Sequence, residues 1–427
     1  MKSSCPPPDV LVRIADGERV ARKETQHVAQ CPSCRRVLTL ARTITAENLT
    51  ITIDDATVAE DRIASLVAEL LQVPMEERPR LASEARFMVP EVATRFNQMA
   101  MAEFRHDLRL AHSHAHVSTV ISSSITQRLG VAGEVEFECW KTRSSILREQ
   151  GDFDSARSSL LFARRAMARC SDRELKAAIL DFAAAAICVM RDVWSPAEAE
   201  ALLDLCAPVF AVRAPERLVA VKSVRGTIAL ISGEYARALE VYSEVAAAVA
   251  PTDEAAWANA HRNVVNALAR MKMVDKADDL LRRVRRLDVK LGRTLDIVKD
   301  DALAALIAEE SEDHLGAAAM YADVRRRFAD CGELETALLA GKDAAVALVA
   351  AGLVDQARHV LASLLTPDVV LDTDRKRFTS EAISYLRELA DREVLTADVA
   401  SEVARYIDRI HLQRAEPFRS PLPLFTM

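Results

Sequence analysis

Four side chains near the start of the sequence have the chemistry to hold a metal ion: Cys5, His27, Cys31 and Cys34. The last three stand at H-x3-C-x2-C spacing in HVAQCPSC, and 21 residues separate Cys5 from His27. A structural Zn²⁺ asks for four soft or borderline ligands in a tetrahedron, and three thiolates with one imidazole are a standard set. A competing reading makes Cys31 and Cys34 small core residues and His27 a surface residue.

The elements that must position these ligands are short helices. DVLVRIAD puts Val10, Leu11 and Ile14 on one stripe, with Asp9 as N-cap and Gly17 as a stop. A second helix over about 18–30 carries Val20, His27 and Val28 on one face. Pro32 then opens a third, with Cys34, Val37, Leu38 and Ala41 as its apolar stripe. His27 would project from the end of one helix, Cys31 and Cys34 would bracket the start of the next, and Cys5 would arrive from a proline-stiffened strand of chain. A unit of about 45 residues buries too little apolar surface to hold three short helices, so a metal staple is physically useful. The expectation is a zinc-stapled three-helix head over residues 1–46.

This pattern resembles the zinc-binding anti-sigma factor domain, carried here by Cys5, His27, Cys31 and Cys34, by the turn DGE (Asp16, Gly17, Glu18) and by the proline of CPSC. The resemblance implies bound Zn²⁺ and a head that clasps a sigma factor away from RNA polymerase. Some members of that family release the sigma factor when their thiols are oxidised, so the resemblance also opens a redox-sensor reading. It covers about a tenth of the 427 residues. The common membrane-bound members carry a transmembrane helix after the head, and this sequence departs from them there.

Composition sets the wider frame. Aromatic residues make up 5% of the chain, and there are only 11 glycines, fewer than phosphate-cradling α/β enzymes tend to use. Residues 1–46 hold eight Lys/Arg against four acids, +4 in a chain of net −7, so the remainder carries −11. That balance speaks against direct nucleic-acid binding. No apolar run reaches the roughly 18 residues that cross a bilayer, and the opening has no apolar signal core, so the expected location is the cytoplasm. The five cysteines beyond the head (Cys139, Cys170, Cys188, Cys206, Cys331) are scattered singly and read as reduced, buried thiols.

After a polar linker over 47–57 and a helical connector over 58–130, a turn pattern recurs. REQGDFDSARSSL, ISGEYARALEVY and AAGLVDQARHVL each place a small turn residue, a hydrophobic residue two later and alanine five later. Weaker copies give turn positions at 151, 192, 233, 272, 312 and 352. So regular a period marks a solenoid of about six helix hairpins over 131–370, and the turns resemble those of tetratricopeptide repeats. A terminal hairpin over 371–413 caps it, and an extended tail fills 414–427. The fold expected is all-α.

Other chemistry is thin. His112 and His116 stand one helical turn apart in RLAHSHAHVST while His114 points away, and the bland reading, solvated or partly buried histidines, is preferred. Trp140, Trp194 and Trp257 are expected in the core. The sequence has no GxxxxGK[ST], HExxH or GxSxG motif. The expected function is non-enzymatic: a regulatory interaction module whose partner is a sigma factor or another protein, or a repeat scaffold in which zinc merely folds the head.

Overall fold

A computed structural model describes residues 20–31, 55–129, 133–190, 195–364, 374–410 and Pro421. Among them the regular elements are nineteen α-helices and two short 3-10 turns, with no strand. In the head, α1 runs Arg22–Gln30 and starts where the Glu24 carboxylate accepts the Ala21 amide at 3.1 Å, four residues later than the 18–30 reading. The first and third head helices fall outside the described residues.

The next helices are α2 (Asp55–Gln72), which begins inside the expected 47–57 linker, α3 (Arg78–Ala82), α4 (Pro90–Glu103) and α5 (Leu108–Leu129). Pro90 sits in the first turn of α4, where its missing amide hydrogen is no loss. Six antiparallel pairs follow: α6 (Gly133–Glu149) with α7 (Phe153–Met167), α8 (Arg173–Cys188) with α9 (Pro196–Arg213), and α10 (Leu218–Ile231) with α11 (Tyr235–Ala248). Then come α12 (Glu254–Arg270) with α13 (Val274–Lys290), α14 (Thr294–Glu310) with α15 (His314–Asp330), and α16 (Leu334–Ala350) with α17 (Val354–Leu364). A final pair is α18 (Asp374–Asp391) with α19 (Ala397–Ile410). The architecture is a tetratricopeptide-like α-solenoid.

The turns explain the period. Gly151, Gly233, Lys272, Glu312 and Gly352 all have positive φ, between 59° and 81°. At each, two carbonyls of the ending helix are capped, as where Asp152 N–H donates to Leu147 O at 2.9 Å and Gly151 N–H to Arg148 O at 3.1 Å. This is the Schellman motif, and the left-handed residue is what lets the chain reverse. Ala156, Ala238, Ala277, Ala317 and Ala357, five residues on, are fully buried where the returning helix meets the first. The turn at 192 lies outside the described residues, and in that hairpin the buried alanine is Ala199.

The spacing is finer than 40. Gly292 and Gly332 are also left-handed, and they close the turns between hairpins with the same bond pair. From 272 to 352 a left-handed residue recurs every 20 residues, and α12 to α16 are each 17 residues long. The unit there is one helix plus three linking residues.

The array also meets itself. One core cluster joins Ala100, Phe104, Leu108 and Ala111 of the α4–α5 hairpin to Leu295 and Val298 of α14, Phe328 of α15 and Ala340 of α16. The Leu295 amide donates to the Arg105 carbonyl at 3.0 Å, and Arg109 Nη2 donates to the Asp330 carbonyl at 2.9 Å. Hairpins far apart in sequence therefore share one interior.

Candidate functional site: a charged seam across the array

Where the α4–α5 link meets α14, the interior turns from apolar to ionic. Asp288 from the end of α13 and Asp296 and Asp300 from α14 are fully buried. The helical period puts Asp296 and Asp300 on one face. Across from them, α12 supplies Arg262. Arg262 Nε donates to Asp300 at 2.7 Å, Nη1 to Asp296 at 3.3 Å and to Asn259 at 3.0 Å, and Nη2 to Asp288. Arg293, at the turn after Gly292, donates to Asp288 at 3.0 Å and Asn259 at 2.8 Å and pairs with Asp296.

The network continues across the seam. Arg105, in the α4–α5 link, stands 3.6 Å from Asp296 and 4.0 Å from Glu149, the last residue of α6. One turn along α14 from Asp296, Lys299 donates to Glu149 and lies 3.5 Å from Glu333. Three segments distant in sequence thus contribute charge to one buried cluster.

Electrostatics makes the cluster uneven. Burial pushes the Asp300 carboxyl up to about 7, with neighbouring Asp288 adding to the effect against the pull of Arg262. Burial also works against the Glu149 carboxylate, but Lys299, Arg148 and Arg105 together outweigh it and hold it down to about 2. Burial and the nearby Glu149 raise Glu333, against the opposing charge of Lys299. Three aspartates against two arginines leave a negative excess inside the array, and Arg105 is the cation that the distant link brings to it. Ions buried this way fix one arrangement strongly, because losing any partner leaves an uncompensated charge.

The ligand set read from the sequence is only partly in view. His27 lies in the last turn of α1 and Cys31 caps it, its amide donating to the His27 carbonyl at 2.8 Å. Both are part-exposed, beside buried Val28. One-turn separation suits two donors to a shared Zn²⁺. Cys5 and Cys34 lie outside the described residues. Among the described residues no group of three or more His, Cys, Asp or Glu side chains is arranged to hold a metal ion; the three aspartates are an arginine seat.

The other candidates fall out as follows. His114 is buried, its ring 5.7 Å from that of Phe96, whereas His112 and His116 share a part-buried face with ring centroids 6.4 Å apart. Trp140 packs part-buried against the core of the first hairpins, whereas Trp257 departs from the core expectation. Each is part-exposed and stacked, Trp140 on Phe162 at 4.5 Å and Trp257 on His261 at 3.7 Å. Trp194 lies outside the described residues. Cys139, Cys170, Cys188, Cys206 and Cys331 are buried free thiols, and burial raises Cys139 and Cys206 to about 11.

The seam was missed in the sequence because carboxylates on a helix read as a solvated face. Its one local signal is LDVKLGRTLDIVKDD, where Asp288, Asp296 and Asp300 fall among the residues that the helical period turns inward.

The class this defines is the closed helical-repeat array. No family model matches the chain, and no curated protein matches it in sequence. Among solved structures it is similar to aspartyl phosphate phosphatase F from Bacillus subtilis, at 11% identity over 87% of this chain and 99% of that one, with a TM-score of 0.45. It is similar also to a Rap protein complexed with competence and sporulation factor (11% identity, 81% and 99% coverage, TM-score 0.44). A third is the apo form of RapI (13% identity, 84% and 100% coverage, TM-score 0.41). At these values no conclusion about activity, ligand or partner passes from them to this chain.

Proposed function

We propose that this chain is a non-enzymatic regulatory module that acts by holding protein partners on its helical array. The observation that carries this reading is the set of large apolar side chains left exposed on the helices of the array, several of them on second helices of hairpins and Leu334, 69% exposed, on a first one. Leu161 on α7 is 62% exposed, Leu205 and Val212 on α9 are 64% and 80%, and Leu315 on α15 is 59%. Exposed apolar side chains repeated along an array are what a partner-binding surface requires. The test is affinity capture of the intact chain beside a Leu205→Glu, Val212→Glu variant. A protein captured by the first and lost with the second supports the reading, and equal capture by both overturns it.

The finer reading is that the head, with Zn²⁺ on Cys5, His27, Cys31 and Cys34, contributes an anti-sigma-type contact and the partner is a sigma factor. The H-x3-C-x2-C spacing and the one-turn separation of His27 and Cys31 support it. Deleting residues 1–46 separates the head from the array: a partner lost with the head is a head partner. A partner retained makes the chain a scaffold in which zinc only folds the head. Capture with and without a chelator, with no sigma factor in either, would sink the sigma reading.

A further inference from the structure

One cation in the array lacks the partner its burial calls for. Arg143, on α6, is part-buried, and its side chain has no carboxylate within ion-pair distance among the described residues. Of its guanidinium, Nη1 donates to Thr119 Oγ1 at 3.2 Å, while Nε is buried with no acceptor. Other arginines are provided for in two ways: Arg169 meets Glu136 at 2.6 Å and Arg225 meets Glu200 at 3.1 Å and Asp204 at 2.6 Å, while Arg78 and Arg325, without an ion-pair carboxylate among the described residues, donate to backbone carbonyls. A guanidinium taken from water is costly unless its donors are met, and Arg143 Nε is not.

The surroundings are those of a binding site. Arg143 lies over the Trp140 ring, 5.4 Å from its centroid, and Trp140 is held from behind by Phe162 and by its own bond from Nε1 to Ser123 Oγ at 3.1 Å. On facing α5, His112, His116 and Thr119 fall on one stripe. His112 is fixed by Gln150, its Nδ1 2.9 Å from Oε1. We propose that Arg143, with His116 beside it and Trp140 beneath, seats an oxyanion of a ligand, a carboxylate or a phosphate; the Thr119 hydroxyl, which donates to the His116 carbonyl, only accepts from Arg143. The site is separate from the seam and goes beyond the proposed partner-binding surface. Burial first, then the Arg143 charge, hold His112 low against the Gln150 bond and the Asp152 carboxylate, and hold His116 down to about 4; Asp152 also acts on Arg143 from beyond ion-pair range. The neutral His116 ring keeps an N–H that can be offered to an anion, whereas the single N–H of a neutral His112 is spent on Gln150 Oε1. An anion on Arg143 would cancel part of that charge and let both histidines rise.

The experiment uses the full chain, inorganic phosphate and glutarate as probes, and potassium chloride at matched ionic strength as reference. The wild type is expected to gain about 1.5 °C in melting temperature for each tenfold rise in the effective probe above its dissociation constant. Arg143→Met is expected to melt no lower than wild type without probe, having lost an unpaired charge, and to gain nothing with it. A gain with phosphate alone assigns a phosphate ligand, with glutarate alone a carboxylate, and with both a site for either. No gain beyond chloride in the wild type, or an equal gain in the variant, overturns the proposal. Should Arg143→Met fail to fold, proton NMR of wild-type His112 and His116 decides: their titration must move to higher pH with probe, and unmoved titration overturns the proposal.

Discussion

The Leu295 amide, in the first turn of α14, donates to the Arg105 carbonyl at 3.0 Å, while the side chain of the same Arg105 faces Asp296 one residue further on. Backbone and charge thus meet at one point between the α4–α5 link and the fifth hairpin. Apolar packing of Phe104 and Leu108 on Val298 and Phe328 surrounds that point. The hydrophobic contact supplies attraction without direction. The ionic contact supplies register.

Arg262 is the hub of the seam, so Arg262→Met should lower stability by about 3–5 kcal/mol, because three buried aspartates are left with too few cations. Lys222→Met should change stability by no more than about 1 kcal/mol. The Lys222–Glu244 pair it removes is more than half exposed on both sides. Urea denaturation of the two variants checks the contrast, and similar losses would remove the seam's structural role.

The two perturbed acids act in opposite directions with pH. Asp300 titrates at about 7 in the fold, above the ordinary carboxylate range, so its contribution is present at low pH and is lost as pH rises towards and through 7. Glu149 is held at about 2, so its contribution is present above the ordinary range and lost as pH falls towards 2. Asp300→Asn should therefore flatten the decline in stability between about pH 4 and about pH 7. Glu149→Gln should cost progressively less than at neutral pH as acid is added. Parallel pH curves for wild type and Asp300→Asn would contradict this.

The left-handed turns have a sign that depends on the residue. At Gly233 and Gly352 nothing lies within 4 Å of an added Cβ, so alanine there meets only backbone strain. Each replacement should cost about 1–2 kcal/mol. Glu312 already bears that strain at φ 65°, and Glu312→Gly should hold stability level or raise it. Chemical denaturation of the three variants decides the point.

If the head binds zinc, the intact chain should carry one Zn²⁺, lost with Cys31→Ser, and chelation should leave the main melting transition of the array in place. Native alkylation should spare Cys139 and Cys206, whose buried thiols are pushed up to about 11, and label them only after denaturant is added. Metal analysis and mass mapping of alkylated peptides measure both.

The fold was largely legible because a left-handed turn leaves a chemical trace: Gly151, Gly233 and Gly352 stand out in helical sequence, and Ala156, Ala238 and Ala357 follow at fixed distance. Half the turns escaped. Gly332, with Leu334 and Ala337, repeats the motif half a period out of phase, and Gly292 lacks the alanine, since Ile297 stands in its place. Closure was not legible at all. Arg105, Glu149 and Lys299 are ordinary charges until the superhelix brings them together, and no local spacing relates residues separated by 150 positions. The Arg143 site escaped for a related reason. What marks it is a part-buried guanidinium between Thr119 and the Trp140 ring, which only the packing of α5 on α6 brings together.

The seam between Arg105 and α14 has one more consequence. An open solenoid can gain or lose a hairpin and remain the same kind of object, merely longer or shorter. Here the hairpins from α6 to α13 must span a fixed gap, so their number is set as firmly as the number of staves in a cask. Duplicating a forty-residue unit inside that span would part the seam, whereas the same duplication beyond α16 would leave it shut.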